Sequence, residues 1–145
     1  MYGKEFFVNR YSKLGWKYKP TQLKQAIRIN TMNADENELT KRLNSRGIEL
    51  EKIPFLSRGY WVLKSKVSVG ATTEYLLGFY SIQEAAAQIS ATVFMDLEDR
   101  AVADACAAPG GKTVQLADLM HNTGAIIALD VEKRRLTSLS NHLER

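Results

Sequence analysis

The chain has 145 residues, 45% hydrophobic and 25% charged, with a net charge of +4, a composition that suits one modest globular core. It contains no run of roughly 18 apolar residues, which excludes a spanning helix, and its first residues lack the apolar stretch of a secretory signal. The single cysteine forms no internal disulfide and the two histidines have no cysteine partners at ligand spacing, so the expectation is a cytoplasmic protein with no membrane contact and no metal centre.

The charge is split along the chain: 14 Lys and Arg stand against 6 Asp and Glu before Ala71, and 6 against 10 from there on. The opening segment, closed by Pro20, interleaves Lys4, Arg10, Lys13, Lys17 and Lys19 with Tyr2, Phe6, Phe7, Tyr11, Trp16 and Tyr18. Cations meet phosphates, and aromatic rings stack on unpaired bases. RNA is therefore a candidate partner, with Lys13, Lys17, Lys19 and Arg28 as contact residues. The other reading is a helix with its aromatics in a core and its lysines in water. "QAIRINTM" (Gln25–Met32) alternates like a strand. Asp35 and Glu38 resemble a capping box before a helix with Leu39 and Leu43 on one face, closed at Gly47. "GIELEKIPF" and "GYWVLKSKVSV" read as strands. Ser81 and Glu84 form a second capping-box pattern before a stripe at Ile82, Ala86, Ile89 and Val93, in a helix ending near Met95. "VADA" (Val102–Ala105) and "AIIALD" (Ala125–Asp130) read as short buried strands, with helices marked by Leu116, Leu119 and Met120 and by Leu136, Leu139 and Leu143. The fold class is α/β. A small basic α+β subdomain over residues 1–75 faces RNA, and residues 76–145 begin a parallel, Rossmann-like sheet of which two strands are only a part.

The stretch "ACAAPGGKT" carries the chemistry. A phosphate loop that ended at Gly111-Lys112-Thr113 would place its first glycine at position 106, where cysteine stands, and the dinucleotide pattern is absent. A nucleotide-triphosphate enzyme is disfavoured. Cys106 has no histidine nearby in sequence to act as base, so it reads as a packing or cofactor-lining residue rather than a nucleophile. What remains is a strand, a glycine-rich turn at Gly110 and Gly111, a helix N-terminus, and Asp130 at the end of the next strand. This is the arrangement in which a carboxylate meets ribose hydroxyls. A solvated helix cap is the alternative for Asp130, and the loop favours the ribose role.

At these residues the chain resembles the Fmu/Sun family of RNA (cytosine-5) methyltransferases. "VADACAAPGGKTVQLADLM" is similar to the family's first cofactor motif, "AIRINTM" to its R-I-N-T segment, and "GATTEYLLGFYSIQEAAAQ" to the approach to its catalytic domain. "GAIIALDVEKRRLTSLSNHLER" is similar to its second motif, and the middle spacing looks most like archaeal members. The resemblance implies S-adenosylmethionine as cofactor. Cys106, Ala107, Ala108, Pro109, Gly110, Gly111 and Lys112 would line its methionine part, Asp130 would accept from the ribose hydroxyls, and Arg135 would lie beside the ribose and adenine. It implies methyl transfer to C5 of a cytosine in tRNA or rRNA. The family's two catalytic cysteines lie in D-A-P-C and T-C-S motifs. This sequence holds neither, so no catalytic residue is assigned here, and a second polypeptide or a longer chain is expected to supply them. The rival reading is a non-catalytic RNA-binding or cofactor-sensing remnant.

Overall fold

The computed structural model describes residues 3–19 and 22–145; the break expected at Pro20, and Tyr2 among the aromatics, lie outside them. The first helix, α1 (Lys4–Lys13), buries none of its residues. There follow β1 (Ala26–Ile29), α2 (Glu36–Ser45), β2 (Ile48–Lys52), β3 (Gly59–Ser65), α3 (Thr73–Leu76) and β4 (Tyr80–Ile82). These strands form an antiparallel sheet in the order β2-β3-β1-β4. Ile27 stands opposite both Tyr60 and Ile82, which fixes the register of the central strand. Asp35 caps α2: one carboxylate oxygen accepts the N–H groups of Asn37 and Glu38, each at 2.9 Å. Leu39 and Leu43 then point inward and meet Ile27, Ile29, Ile48, Val69 and Tyr80 in one core. Glu74 of α3 is fully buried and is held by Arg42 at 2.6 Å and Arg46 at 3.0 Å, which ties α3 to α2.

β4 pairs with β1, so the antiparallel sheet runs on to Ile82. The same pairing removes the capping box expected at Ser81. Ser81 lies opposite Arg28 in the sheet, and α4 (Ala85–Thr92) starts later, with Glu84 as N-cap and no side-chain cap. The expected stripe is also on the wrong face. Ile82, Ile89 and Val93 are exposed, while Gln88 and Ala91 are buried. Gly59 leaves room for this face: a Cβ there would stand 2.7 Å from the Gln88 side chain, which packs on the sheet beside it.

The second unit consists of β5 (Ala101–Asp104), α5 (Gly111–Leu119), β6 (Ala125–Ala128) and α6 (Lys133–Leu143), with β5 and β6 parallel and Ala101 opposite Ala125. The fold is thus mixed α/β, an antiparallel α+β unit followed by a parallel β-α-β unit. Residues of β5 and β6 alternate between exposed and half-buried rather than lying in a core. Each of these two strands has one paired edge, and no third strand flanks them among the described residues.

A buried polar cluster joins the two units. Asp118 of α5 accepts from Arg28 Nη1 at 2.8 Å and from the Thr31 hydroxyl at 2.9 Å, and pairs with Arg58 at 2.7 Å. Arg28 Nε donates to Gln83, Gln83 donates to Gln115, and Gln115 donates to the Gln88 carbonyl. Burial, together with the neighbouring Arg58, holds the Arg28 pKa below its ordinary value although Asp118 pulls the other way.

Candidate functional site

The loop from Ala105 to Gly110 joins β5 to α5 and is held at both ends by carboxylates. Asp104, the last residue of β5, accepts the Cys106 N–H at 3.2 Å and the Thr113 hydroxyl at 2.7 Å. Asp130, just past β6, accepts the Ala108 N–H at 3.1 Å and the Glu132 N–H at 3.0 Å. The Ala107 N–H donates to the Leu129 carbonyl at 2.9 Å, so the loop lies across the ends of both strands. Arg135 of α6 closes the arrangement. It donates to the Ala108 carbonyl at 2.6 Å and stands 3.5 Å from Asp130. The Glu132 amide, the Ala108 amide and Arg135 hold the Asp130 carboxyl below the usual carboxylate range. Its side chain is only 4% exposed. Two of its four lone-pair sites face backbone amides, and the others remain for further donors.

The two glycines have different jobs. Gly110 has a φ of +116°, and a Cβ there would lie 2.9 Å from His142 and 3.1 Å from Leu139, so its bareness lets α6 pack on the loop. Gly111 has only Gln83 at 3.9 Å from its would-be Cβ, so a ligand can approach there. α5 starts at Gly111 with no side-chain cap and no acidic residue in its first turn. Uncapped amides at a helix start suit a carboxylate ligand. The donor set therefore fits the carboxylate of S-adenosylmethionine. Cys106 and Lys112 are exposed, Ala107 and Ala108 are buried, and Lys112 borders a 250 Å³ recess with Asp104, Ser90 and Phe94. Asp104 and Thr113 escaped the sequence reading. An acid immediately before a glycine-rich turn, with a hydroxyl in the first turn of the helix, is the signal that marks them.

The proposed RNA contacts divide. Lys13, Lys17 and Lys19 are exposed. Arg28 is not: it is 2% exposed and spent on Asp118 and Gln83, so it is corrected from an RNA contact to a structural cation. Its place in a strand buried on both faces left its charge no route to solvent. Among the described residues there is no cluster of ligands for a metal ion and no helix long and apolar enough to cross a membrane.

Residues 4–85 match the family model described as the N-terminal domain of 16S rRNA methyltransferase RsmF, and residues 91–145 match that of 16S rRNA methyltransferase RsmB/F. The chain is 38% identical to the 28S rRNA (cytosine(4447)-C(5))-methyltransferase of Homo sapiens, over 82% of its own length and 15% of that protein. It is 38% identical to the tRNA (cytosine(49)-C(5))-methyltransferase of Pyrococcus abyssi, over 95% of its own length and 46% of that protein. A crystal structure of a methyltransferase homologue from Pyrococcus horikoshii superposes with a TM-score of 0.80 at 35% identity, over 86% of this chain and 41% of that one. The chain thus spans less than half the length of these relatives. With its antiparallel N-terminal unit and the loop-bearing start of a parallel sheet, it belongs to the RsmB/F (Fmu/Sun) family of RNA cytosine-5 methyltransferases.

Proposed function

We propose that this chain is the RNA-facing and cofactor-loop part of a cytoplasmic, S-adenosylmethionine-dependent RNA (cytosine-5) methyltransferase acting on tRNA or rRNA. The observation that carries the reading is the loop from Ala105 to Gly110, fixed by Asp104 on one strand and Asp130 on the next. In this reading the loop from Cys106 to Lys112 receives the methionine end of the cofactor at the uncapped start of α5. The free lone pairs of Asp130 accept the ribose hydroxyls. Arg135, while it braces the loop, lies against the ribose and adenine. The cofactor supplies the methyl group. C5 of cytosine is a poor nucleophile until a thiolate adds at C6. Cys106 lies in the cofactor loop and is read as lining it, so the nucleophile and the second cysteine come from elsewhere in a longer protein or from a second polypeptide.

Calorimetry of the chain with S-adenosylmethionine and with ATP tests this. S-adenosylmethionine should bind, weakened on the order of 10²-fold relative to a complete pocket, because the described residues line only one side of it. Asp130→Ala should weaken it roughly another 10-fold, the worth of a hydrogen bond to a charged group. Tighter binding of ATP than of S-adenosylmethionine would overturn the assignment.

A further inference from the structure

α1 ends in a turn that fixes one residue in place. Gly15 adopts a left-handed φ of +77°. Its N–H donates to the Ser12 carbonyl at 3.0 Å, and the Trp16 N–H reaches back to the Tyr11 carbonyl at 3.0 Å. These two reversed bonds form a Schellman motif, in which the residue after the glycine usually folds its side chain onto the helix. Here the ring of Tyr11 is engaged elsewhere, stacked on Phe7 with centroids 5.2 Å apart and edge-on to Tyr18 at 6.0 Å. Trp16 is left 69% exposed on an anchored backbone. Lys13, Lys17 and Lys19 around it are exposed, and Glu5 is the sole acid between residues 3 and 19.

A bare tryptophan on a neutral surface would suit an apolar partner. An exposed tryptophan with three exposed lysines within three residues of it in sequence, and no acid that close, complements a polyanion that carries planar rings. A duplex offers its phosphates but keeps its bases stacked inside, whereas an unpaired strand offers both. We propose that Trp16 is a stacking platform for an unpaired base of single-stranded RNA, with Lys13, Lys17 and Lys19 on the flanking phosphates. The proposal rests on the RNA-facing reading of the opening segment and narrows it to single strands. Because the turn already fixes the Trp16 backbone, little ordering cost remains to be met on binding.

The test is a titration of the chain at low salt with an unstructured RNA oligonucleotide, followed by affinity and by tryptophan emission. The same sequence as a duplex and anionic lipid vesicles serve as competitors. Trp16→Ala, Trp16→Phe and the triple variant Lys13→Ala/Lys17→Ala/Lys19→Ala are compared, each checked by circular dichroism. Single-stranded RNA should quench emission in the parent and not in Trp16→Phe, since Trp61, the other tryptophan, packs against Phe55 and beneath Lys24. Trp16→Ala should lose about 10-fold or more in affinity, with Trp16→Phe retaining most of it. The triple variant should bind more weakly and with a shallower salt dependence. If the triple variant loses affinity while Trp16→Ala binds as the parent does, the RNA face stands and the stacking platform is overturned. If no variant changes binding, both fall. Preference for the duplex, or displacement of the RNA by the vesicles, also overturns the proposal.

Discussion

The antiparallel unit hides Ile27, Ile29, Leu43 and Tyr80 completely, whereas the parallel unit leaves Ile127 59% exposed and Leu129 and Val131 open to solvent. Both units are built from short strands and amphipathic helices. The difference is closure. In the first, β1 is paired on both edges and covered by α2, so every apolar side chain on it finds partners. In the second, two strands share one seam, and their outer edges and much of one apolar surface have nothing to meet among the described residues. Burial depends on the neighbours as much as on the residue. Ile127 is as apolar as Ile27, and its sheet is too narrow to hide it.

The largest test of this contrast strikes the joint. Asp118→Ala would leave Arg28 and Arg58 facing each other without their shared anion. Loss of one partner from a buried ion pair costs about 3–5 kcal/mol, to be read from urea unfolding followed by circular dichroism. A loss below about 1 kcal/mol would show that the two units do not depend on the joint. A pair of truncations sharpens the comparison itself. Leu43→Ala should cost about 2–5 kcal/mol by emptying part of a closed core. Ile127→Ala should stay within about 0.5 kcal/mol, as surface changes do. Equal costs would mean that the parallel unit's apolar surface is covered in solution. The smallest effect concerns pH. Burial lowers the proton affinity of His142, and Arg145 adds to the shift. The native state therefore takes up a proton less readily than the unfolded chain. Its stability is complete above about pH 6.5 and is lost as pH falls through the lower native value. Amide exchange in α6 should quicken over that window, and His142→Gln should remove the pH dependence. Unchanged exchange in the parent would show that His142 does not help seat α6 on Gly110.

How much of this could be read from residues alone depended on range. Asp35 and Gly47 were legible because a cap and a left-handed turn are settled within a few positions. The strand–loop–helix around Cys106 was legible because its glycines and the acid at 130 are set by local geometry and by resemblance to a family. Ser81 and Glu84 misled because a cap pattern competes with strand pairing, and β1 had a free edge that β4 filled. Arg28 misled because alternation says which faces a strand has but not that both are covered. Its partner lies 90 residues away, and no local pattern points to Asp118. The bracing of the loop by Asp104 and Arg135 was only partly visible for the same reason. A carboxylate's position in the sequence does not reveal which amide it will accept from.

The shared anion between Arg28 and Arg58 also bears on modularity. The two family models divide this chain between residues 85 and 91, and that is where an engineer would cut to graft the antiparallel unit onto another protein. The cut would separate both arginines from Asp118, together with the Gln83 and Gln115 amides that meet across it. The graft would then carry a guanidinium in the middle of its sheet with Gln83 still beside it but no carboxylate to balance its charge. Moving this unit therefore means moving α5 with it, or replacing Arg28 with an apolar residue of similar length.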